Sequence, residues 1–156
     1  MSTTTLDAAL DGVQLAVVDT SAWLAFLSAG DATHRLARHL FGRVAAADDP
    51  LRAEASMVTA AESMVRPAAA GPAELGRMRA YFAGFPHLTL VPVDLDVATT
   101  AATVRAQSKL SMPDALIVAT ALTRRAQAVV TNDETWRPRL ASAYPQLRWL
   151  DLYAHL

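Results

Sequence analysis

The sequence predicts a three-layer α/β/α domain with a central parallel sheet of about five short strands. Apolar runs rich in β-branched residues, at 15–21 and 126–133, end in turn-forming residues, as buried strands do. Segments with apolar residues at helical spacing separate these runs, and strands that alternate with helices indicate a parallel sheet covered on both faces. The chain has 156 residues, 53% of them hydrophobic, and no cysteine, so its core must be stable without disulfides.

The first half of the chain supplies two of the predicted strands. Residues 1–13 form a polar lead-in segment that could be mobile, and residues 14–156 form a single domain. The strand at 15–21 leads into a helix that ends near Gly30, and Thr33 begins the next helix. Residues 52–58 are compatible with a short strand. The helix after them is expected to stop or kink before Pro67, because proline disfavours helical backbone in the residue that precedes it.

The second half supplies the remaining strands. An amphipathic helix over 72–85 precedes a strand at 87–94, in which Pro92 marks the end or an edge position. Asp94 is expected to cap the helix that follows. "SMPDALIVATALTRR" (111–125) reads as a further helix, the strand at 126–133 comes next, and a last short strand lies near 148–152.

Four acidic residues fall at or near the carboxyl ends of the predicted strands, where open parallel sheets bind ligands. They are Asp19, Glu62, Asp114 and Asp133. Each also has a structural explanation. Thr59 with Glu62, and Ser111 with Asp114, fit the capping-box pattern, Asp19 could cap a helix, and Asp133 could be an ordinary loop residue.

Taken together, the four acids pose an electrostatic problem. If the strands are neighbours, the carboxylates converge, and two like charges about 4 Å apart repel by about 4 kcal/mol at an effective dielectric of 20. A helix-dipole contribution of about 0.3–1 kcal/mol per acid is too small to offset several such contacts. Either the acids lie apart or a cation lies among them. Ligands that are all oxygen suit Mg²⁺ or Mn²⁺ rather than zinc.

Four short motifs carry a resemblance to the PIN-domain ribonucleases, and within them to the VapC-like toxins of type II toxin–antitoxin pairs. These motifs are "VVDTSAW", "SMVTAAE", "LSMPDALIVATAL" and "VVTNDETW". The resemblance implies a metal-dependent endoribonuclease that hydrolyses RNA phosphodiester bonds, with the four acids as catalytic residues around Mg²⁺ or Mn²⁺. It also implies supporting roles for the hydroxyl groups of Thr20, Ser21 and Thr131.

The resemblance further implies a homodimer and a small antitoxin that occupies the cleft. Arg66, Lys109, Arg124 and Arg137 are candidates for guiding RNA phosphates, although each could equally lie on a solvated helix face. The first helix of the domain carries more large apolar residues than one face packed against the core requires. These residues are Trp23, Leu24, Phe26 and Leu27. The amino-terminal residues lack a signal-peptide pattern and no apolar run approaches the ~20 residues of a membrane span, so a cytoplasmic location without membrane partners is expected.

Two other functions are compatible with acids at strand ends. One is a non-catalytic PIN-like module that binds RNA. The other is a Mg²⁺-dependent phosphoreceiver signalling domain, which should have paired acids after its first strand and a lysine after its last. Here Asp19 is single, and Lys109 precedes the fourth predicted strand, so the receiver fits poorly.

Overall fold

The computed structural model describes residues 3–156, and its centre is a five-stranded sheet in which every strand pair is parallel. The strand order is β3-β2-β1-β4-β5. The strands are β1 (Leu15–Val18), β2 (Arg52–Ser56), β3 (Leu88–Val91), β4 (Ala128–Thr131) and β5 (Arg148–Asp151). The predicted fold class, with five short strands and helices on both faces, is confirmed.

Helices connect the strands and cover the sheet. They are α1 (Thr3–Ala9), α2 (Thr20–Leu27), α3 (His34–Ala45), α4 (Met57–Ala70), α5 (Pro72–Gly84), α6 (Leu95–Ser108), α7 (Met112–Thr123) and α8 (Trp136–Leu140), and a 3₁₀ helix (Leu152–His155) ends the chain. Within residues 3–156, none of these helices is both long enough and apolar enough to cross a bilayer.

Each face of the sheet has its own hydrophobic core, because successive side chains of a strand point to opposite faces. Ala16 and Val18 of β1 belong to the first core, which includes the buried rings of Trp23 and Phe82, stacked with centroids 4.4 Å apart. Val17 belongs to the second core, formed with α6, α7 and α8. Strands buried on both faces read as continuous apolar runs, which is why "LAVV" and "AVVT" were recognisable in the sequence.

The amino-terminal segment differs from the polar lead-in that the sequence suggested. Residues Thr3–Ala9 form α1, and the side chains of Leu6, Leu10 and Val13 are buried in the first core. The apolar residues are too widely spaced to mark a strand, and α1 is too short to be stable alone, so only packing against the rest of the domain accounts for it. The first two residues of the segment, Met1 and Ser2, lie outside the described residues.

Helix α4 departs from two sequence expectations. It continues through Pro67 to Ala70, so the expected stop before Pro67 is wrong. Proline removes one backbone hydrogen bond, but the three alanines that follow are strong helix formers, and the Gly71 N–H donates to the Pro67 carbonyl. The expected capping box is also wrong: Ser56 caps the helix by accepting from the Val58 N–H, and Thr59 is buried inside the helix.

Candidate active site at the ends of β1 and β4

The centre of the candidate site is Asp19, the first residue after β1. Strand order places β1 beside β4, and the connections from these two strands leave in opposite directions across the sheet, which opens a crevice at their carboxyl ends. The Asp19 N–H donates to the Val130 carbonyl at 2.9 Å, which extends the β1–β4 pairing by one residue. The residue is also the N-cap of α2, so the capping explanation is confirmed for Asp19, and its role in a site stays a prediction.

The Asp19 carboxylate is buried and held by three donors. Its Oδ1 accepts from the Thr20 N–H at 2.7 Å. Its Oδ2 accepts from the Ser21 hydroxyl at 2.5 Å and from the Thr131 hydroxyl at 2.8 Å. Only 5% of the residue is exposed. Donors from both β1–α2 and β4 therefore fix this carboxylate across the crevice.

Burial raises the pKa of Asp19 above its ordinary value, because an ionised carboxylate loses its hydration there. Hydrogen bonds from Ser21, Thr131 and the Thr20 N–H favour the ionised form and oppose that rise. The negative charge of Asp114 adds to it. The electrostatic effect of Asp114 indicates that these two carboxylates, which are 95 residues apart in the sequence, lie close enough in space for their charges to interact.

Asp114 lies in the first turn of α7, half-buried at its amino end. The Ser111 side chain accepts from the Asp114 N–H at 3.2 Å, and its hydroxyl donates to Asp114 Oδ2 at 2.6 Å. This reciprocal pair is a variant of the capping box with aspartate in the glutamate position, so the predicted cap is confirmed. Asp114 thus lies in the first turn of α7 with its carboxylate held by Ser111, and its charge acts on Asp19.

Glu62 is connected to Asp19 through Thr20. The Thr20 hydroxyl donates to Glu62 Oε2 at 2.5 Å, and the same hydroxyl lies 3.4 Å from the buried hydroxyl of Thr59. Glu62 itself is exposed on α4. Its carboxylate therefore stands at the mouth of the crevice, one residue removed from the buried acid.

Asp133 follows β4, but its carboxylate forms a hydrogen bond within its own loop. Asp133 Oδ1 accepts from the Thr135 N–H at 2.8 Å, a local turn that precedes α8. The Asp133 N–H donates to the Thr131 hydroxyl at 2.9 Å, and Thr131 in turn donates to Asp19. Asp133 is thus linked to the buried acid through Thr131, as Glu62 is through Thr20.

The four carboxylates do not form one compact cluster. Across residues 3–156, no group of three or more histidine, cysteine, aspartate or glutamate side chains is arranged to hold a metal ion. The expectation that all four acids meet within a few ångströms is therefore wrong for these side-chain positions. The physical reason is that the Glu62 carboxylate accepts from the Thr20 hydroxyl and the Asp133 carboxylate from the Thr135 N–H, so each is held by a neighbour outside the set of four acids.

The central pair nevertheless matches the chemistry of Mg²⁺ or Mn²⁺. Mg²⁺ is usually bound through one or two carboxylates and keeps several waters, so it does not need a cage made only of protein ligands. Asp19 and Asp114 supply two carboxylates whose mutual repulsion a divalent cation would relieve. The oxygen donors therefore fit such an ion, with Asp19 and Asp114 as the residues that could hold it.

The candidate RNA-binding residues are spread more widely than a single rim. Lys109 ends α6, two residues before Ser111, and Arg66 lies one turn beyond Glu62 on α4. Arg137 lies on α8, on the other side of the crevice, and lines a cavity beside β5. Lys109, Arg66 and Arg137 therefore stay candidates for RNA binding on the basis of their positions.

Arg124 is the exception. It lies at the far end of α7, ten residues and about 15 Å along the helix from Asp114. Its guanidinium forms hydrogen bonds of 2.8–3.1 Å with Glu54, a buried acid of β2 that sequence reasoning did not single out. The expectation that Arg124 guides RNA toward the acids does not agree with this position, because the guanidinium pairs with Glu54 and lies at the other end of α7 from Asp114.

Two further polar residues of the site were missed in the sequence. Thr59 lies behind the Thr20–Glu62 contact, and Asn132 joins two loops, with its N–H donating to Ser21 Oγ at 2.8 Å and its side-chain amide donating to Thr33 Oγ1 at 2.6 Å. The place of Asn132 in the sequence could have identified it as a site residue, because it lies between Thr131 and Asp133, directly after a buried strand.

Comparison with known proteins agrees with this geometry. A family model described as the PIN domain matches residues 16–139, which include all the acids discussed above. The chain belongs to the PIN domain family. A search of curated proteins returned no match.

Solved structures with the same fold include several toxin–antitoxin proteins. A toxin–antitoxin complex from Klebsiella pneumoniae is 22% identical, with a TM-score of 0.63 over 85% of this PIN chain and 95% of that one. VapC20 of Mycobacterium tuberculosis, described as a sarcin–ricin loop cleaving toxin, is 22% identical, with a TM-score of 0.61 over 76% and 90%. DNA-bound VapBC from Salmonella typhimurium is 20% identical, with a TM-score of 0.60 over 88% and 97%. At these identities the likeness shows the shared fold alone.

Proposed function

We propose that this PIN protein is a divalent-metal-dependent endoribonuclease and the toxin of a toxin–antitoxin pair. The observation that carries the proposal is the buried carboxylate of Asp19, held by the hydroxyls of Ser21 and Thr131 and close enough to Asp114 for the two charges to interact. Perturbed carboxylates in clefts are typical of functional sites. Structures of the same fold include a protein described as an RNA-cleaving toxin, which supports the choice of substrate.

Each acid has a proposed role. Asp19 and Asp114 would hold Mg²⁺ or Mn²⁺, which when bound lowers the pKa of an attacking water and neutralises charge on the phosphate. Ser21 and Thr131 keep Asp19 in one orientation by donating to Oδ2, and Ser111 does the same for Asp114. Glu62 and Asp133 stand on either side of the crevice, where we propose that they complete the catalytic site.

An apolar groove beside Glu62 supports a protein partner. Its lining includes the exposed side chains of Leu24, Leu27 and Val65 with Met78, around a volume of about 620 Å³. We propose that this face takes part in antitoxin binding or in a homodimer, and a solved structure of the same fold is a toxin–antitoxin complex. Sedimentation of the purified chain tests the homodimer, and a monomer at micromolar concentration contradicts it. With RNA as substrate, the cytoplasm is the proposed location.

The decisive experiment compares cleavage of total RNA, with Mg²⁺ or Mn²⁺, by the wild type and by Asp19→Asn, Asp114→Asn and Asp48→Asn. The first two substitutions remove a proposed metal ligand and should abolish cleavage. Asp48 is exposed and precedes β2, at the opposite end of the sheet, so Asp48→Asn is the matched control and should cleave as the wild type does. Equal cleavage by all four proteins refutes the catalytic assignment.

A stability measurement tests the metal site independently of cleavage. A ligand that binds the native state at a hundredfold excess over its dissociation constant adds about 2.7 kcal/mol of stability. Millimolar Mn²⁺ or Mg²⁺ should therefore raise the melting temperature of the wild type but not of Asp114→Asn. RNA binding with no cleavage and no thermal shift would favour the non-catalytic RNA-binding module instead. Membership of the PIN family leaves the phosphoreceiver without support.

A further inference from the structure

A second cavity opens directly beside the buried acid. It has a volume of about 500 Å³ and lies between the β4–α8 loop and the C-terminal 3₁₀ helix. Ser21, whose hydroxyl donates to Asp19, forms part of its wall. The other lining residues are Asn132, Asp133, Glu134, Thr135 and Tyr153. Any group in this cavity would therefore be bound next to the proposed cleavage site.

Tyr153 provides an aromatic surface in this cavity. Its ring is 45% exposed, although its neighbour Leu152 is fully buried and anchors the 3₁₀ helix. The Tyr153 N–H donates to Asp151 Oδ1 at 2.9 Å, so the backbone that carries the ring is fixed. The aromatic contacts found within residues 3–156 gather around Trp23, and none involves Tyr153. Its ring is thus available for stacking by a planar ligand.

Asn132 provides an acceptor that the protein does not satisfy. The hydroxyl of Thr33 donates its only hydrogen to Asp31 Oδ1 at 2.7 Å, so Thr33 can only accept from Asn132. The amide nitrogen of Asn132 must then face Thr33, which fixes the orientation of the amide. Its Oδ1 is buried and, among the described residues, has no hydrogen-bond partner. Because this oxygen has almost no accessible surface, a ligand N–H group reaches it only when the side chains that cover it move, and the hydrogen bond then satisfies the acceptor.

The negative charge of the cavity disfavours the phosphate of a nucleotide and favours its base. Its charged lining residues are both acidic, Asp133 and Glu134, so a phosphate is repelled there. A carboxylate and an amide oxygen are hydrogen-bond acceptors, so they suit a base edge rich in donors. Guanine presents adjacent N1–H and N2–H donors on its Watson–Crick edge, and single-stranded RNA is read along that edge while its bases stack on aromatic side chains.

We propose that this cavity binds one nucleobase of the RNA substrate, with Tyr153 as the stacking surface and Glu134 and Asn132 as acceptors that favour guanine. The proposal rests on the proposed ribonuclease function. It gives Tyr153, Glu134 and Asn132, which are not among the four acids, a role in selecting the nucleotide. The bound base would position the neighbouring phosphodiester over Asp19 and Asp114.

Binding of short labelled RNA, measured by fluorescence anisotropy in EDTA, tests the base site separately from cleavage. The probes are uridine pentamers with one central guanosine, adenosine or inosine, since inosine lacks the 2-amino group. Base–aromatic stacking predicts that Tyr153→Ala weakens binding of the guanosine probe between about fivefold and a hundredfold. Tyr153→Phe keeps the ring and should bind within about twofold of the wild type.

Glu134→Gln should reduce the preference for guanosine over adenosine and inosine, because one carboxylate acceptor becomes a donor. Glu74→Gln, an exposed acid on α5, is the matched control and should leave that preference unchanged. Equal binding of all probes by the wild type, or no effect of Tyr153→Ala, overturns the proposal. RNA cleavage by the wild type with Mg²⁺ is measured in parallel. Cleavage without base preference refutes only the base site, whereas preference without cleavage refutes only the ribonuclease.

Discussion

The ion pair between Arg124 and Glu54 allows a prediction that separates stability from RNA binding. Glu54 lies in the middle of β2 with only 7% of its side chain exposed, whereas half of the Arg124 side chain is exposed. The guanidinium donates from Nε at 3.0 and 3.1 Å and from Nη2 at 2.8 Å. These hydrogen bonds with Glu54 raise the pKa of Arg124. Arg124→Gln removes the positive charge and leaves the Glu54 carboxylate buried without it.

The expected cost follows from the burial of the two partners. Breaking a fully buried ion pair costs about 3–5 kcal/mol, while an exposed pair contributes about 0.2–1 kcal/mol. Because Arg124 is half exposed and water can reach the site from its side, we expect Arg124→Gln to lower the unfolding free energy by about 2 kcal/mol. For a domain of this size, that corresponds to a fall of about 4–8 °C in melting temperature.

Urea denaturation at pH 7 measures the loss, with Arg125→Gln as the matched control. Arg125 is the adjacent exposed arginine, and its substitution should change stability by less than about 0.5 kcal/mol. Combining Arg124→Gln with Glu54→Gln removes the isolated buried charge and should recover part of the lost stability. RNA cleavage per folded molecule should stay unchanged in Arg124→Gln. A variant as stable as the wild type, with weaker cleavage, would refute this reasoning and restore the RNA-guiding role.

Two further predictions test the packing of the amino-terminal segment and the pH dependence of a surface network. Leu6 is fully buried in the first core, so Leu6→Ala should lower the unfolding free energy by about 3 kcal/mol. The control is Leu95→Ala: Leu95 is 80% exposed, so its substitution should change the unfolding free energy by less than about 0.5 kcal/mol. Equal changes for the two variants would show that α1 does not pack as described. The hydrogen bond from Arg43 lowers the pKa of Asp49 below 3.8, so its contribution to stability is present above pH 3.8 and is lost as the pH falls through the folded-state value. Asp49→Asn should therefore cost about 1 kcal/mol at pH 7 and progressively less below pH 3.8, and a difference from wild type that does not vary with pH contradicts this linkage.

Much of the architecture could be predicted because local sequence carries the relevant physics. The strands of a parallel sheet are buried on both faces, so "LAVV" and "AVVT" are apolar throughout and stand out from the amphipathic helices. Ser111 and Asp114 form a cap from residues only three positions apart. Asp19 caps α2 through the N–H of the next residue. Features that depend on neighbours in the chain were predictable for that reason.

The errors share the opposite property, because they depend on residues that meet only after folding. Whether Leu6 is part of the domain depends on a core that includes Leu150 of β5, which is 144 residues away. Whether Arg124 faces RNA or an internal acid depends on Glu54, which is 70 residues distant. The stop or kink expected before Pro67 is an exception, because it concerned neighbours in the chain: the helix continues through Pro67 to Ala70, so the penalty of one proline did not end it.

By itself, the sequence determined where the strands and most of the helices lie, that oxygen ligands rather than thiolates are available, and which acids follow the strands. The tertiary structure decided which side chains surround the central acid: the order β3-β2-β1-β4-β5 brings the ends of β1 and β4 together, so Thr131 and Ser21 hold one buried carboxylate. It also separated Glu62 and Asp133 from the central pair and placed Tyr153 beside it. The physical reason is that electrostatic repulsion, hydrogen bonding and burial act through distance in space, and the chain order does not contain those distances.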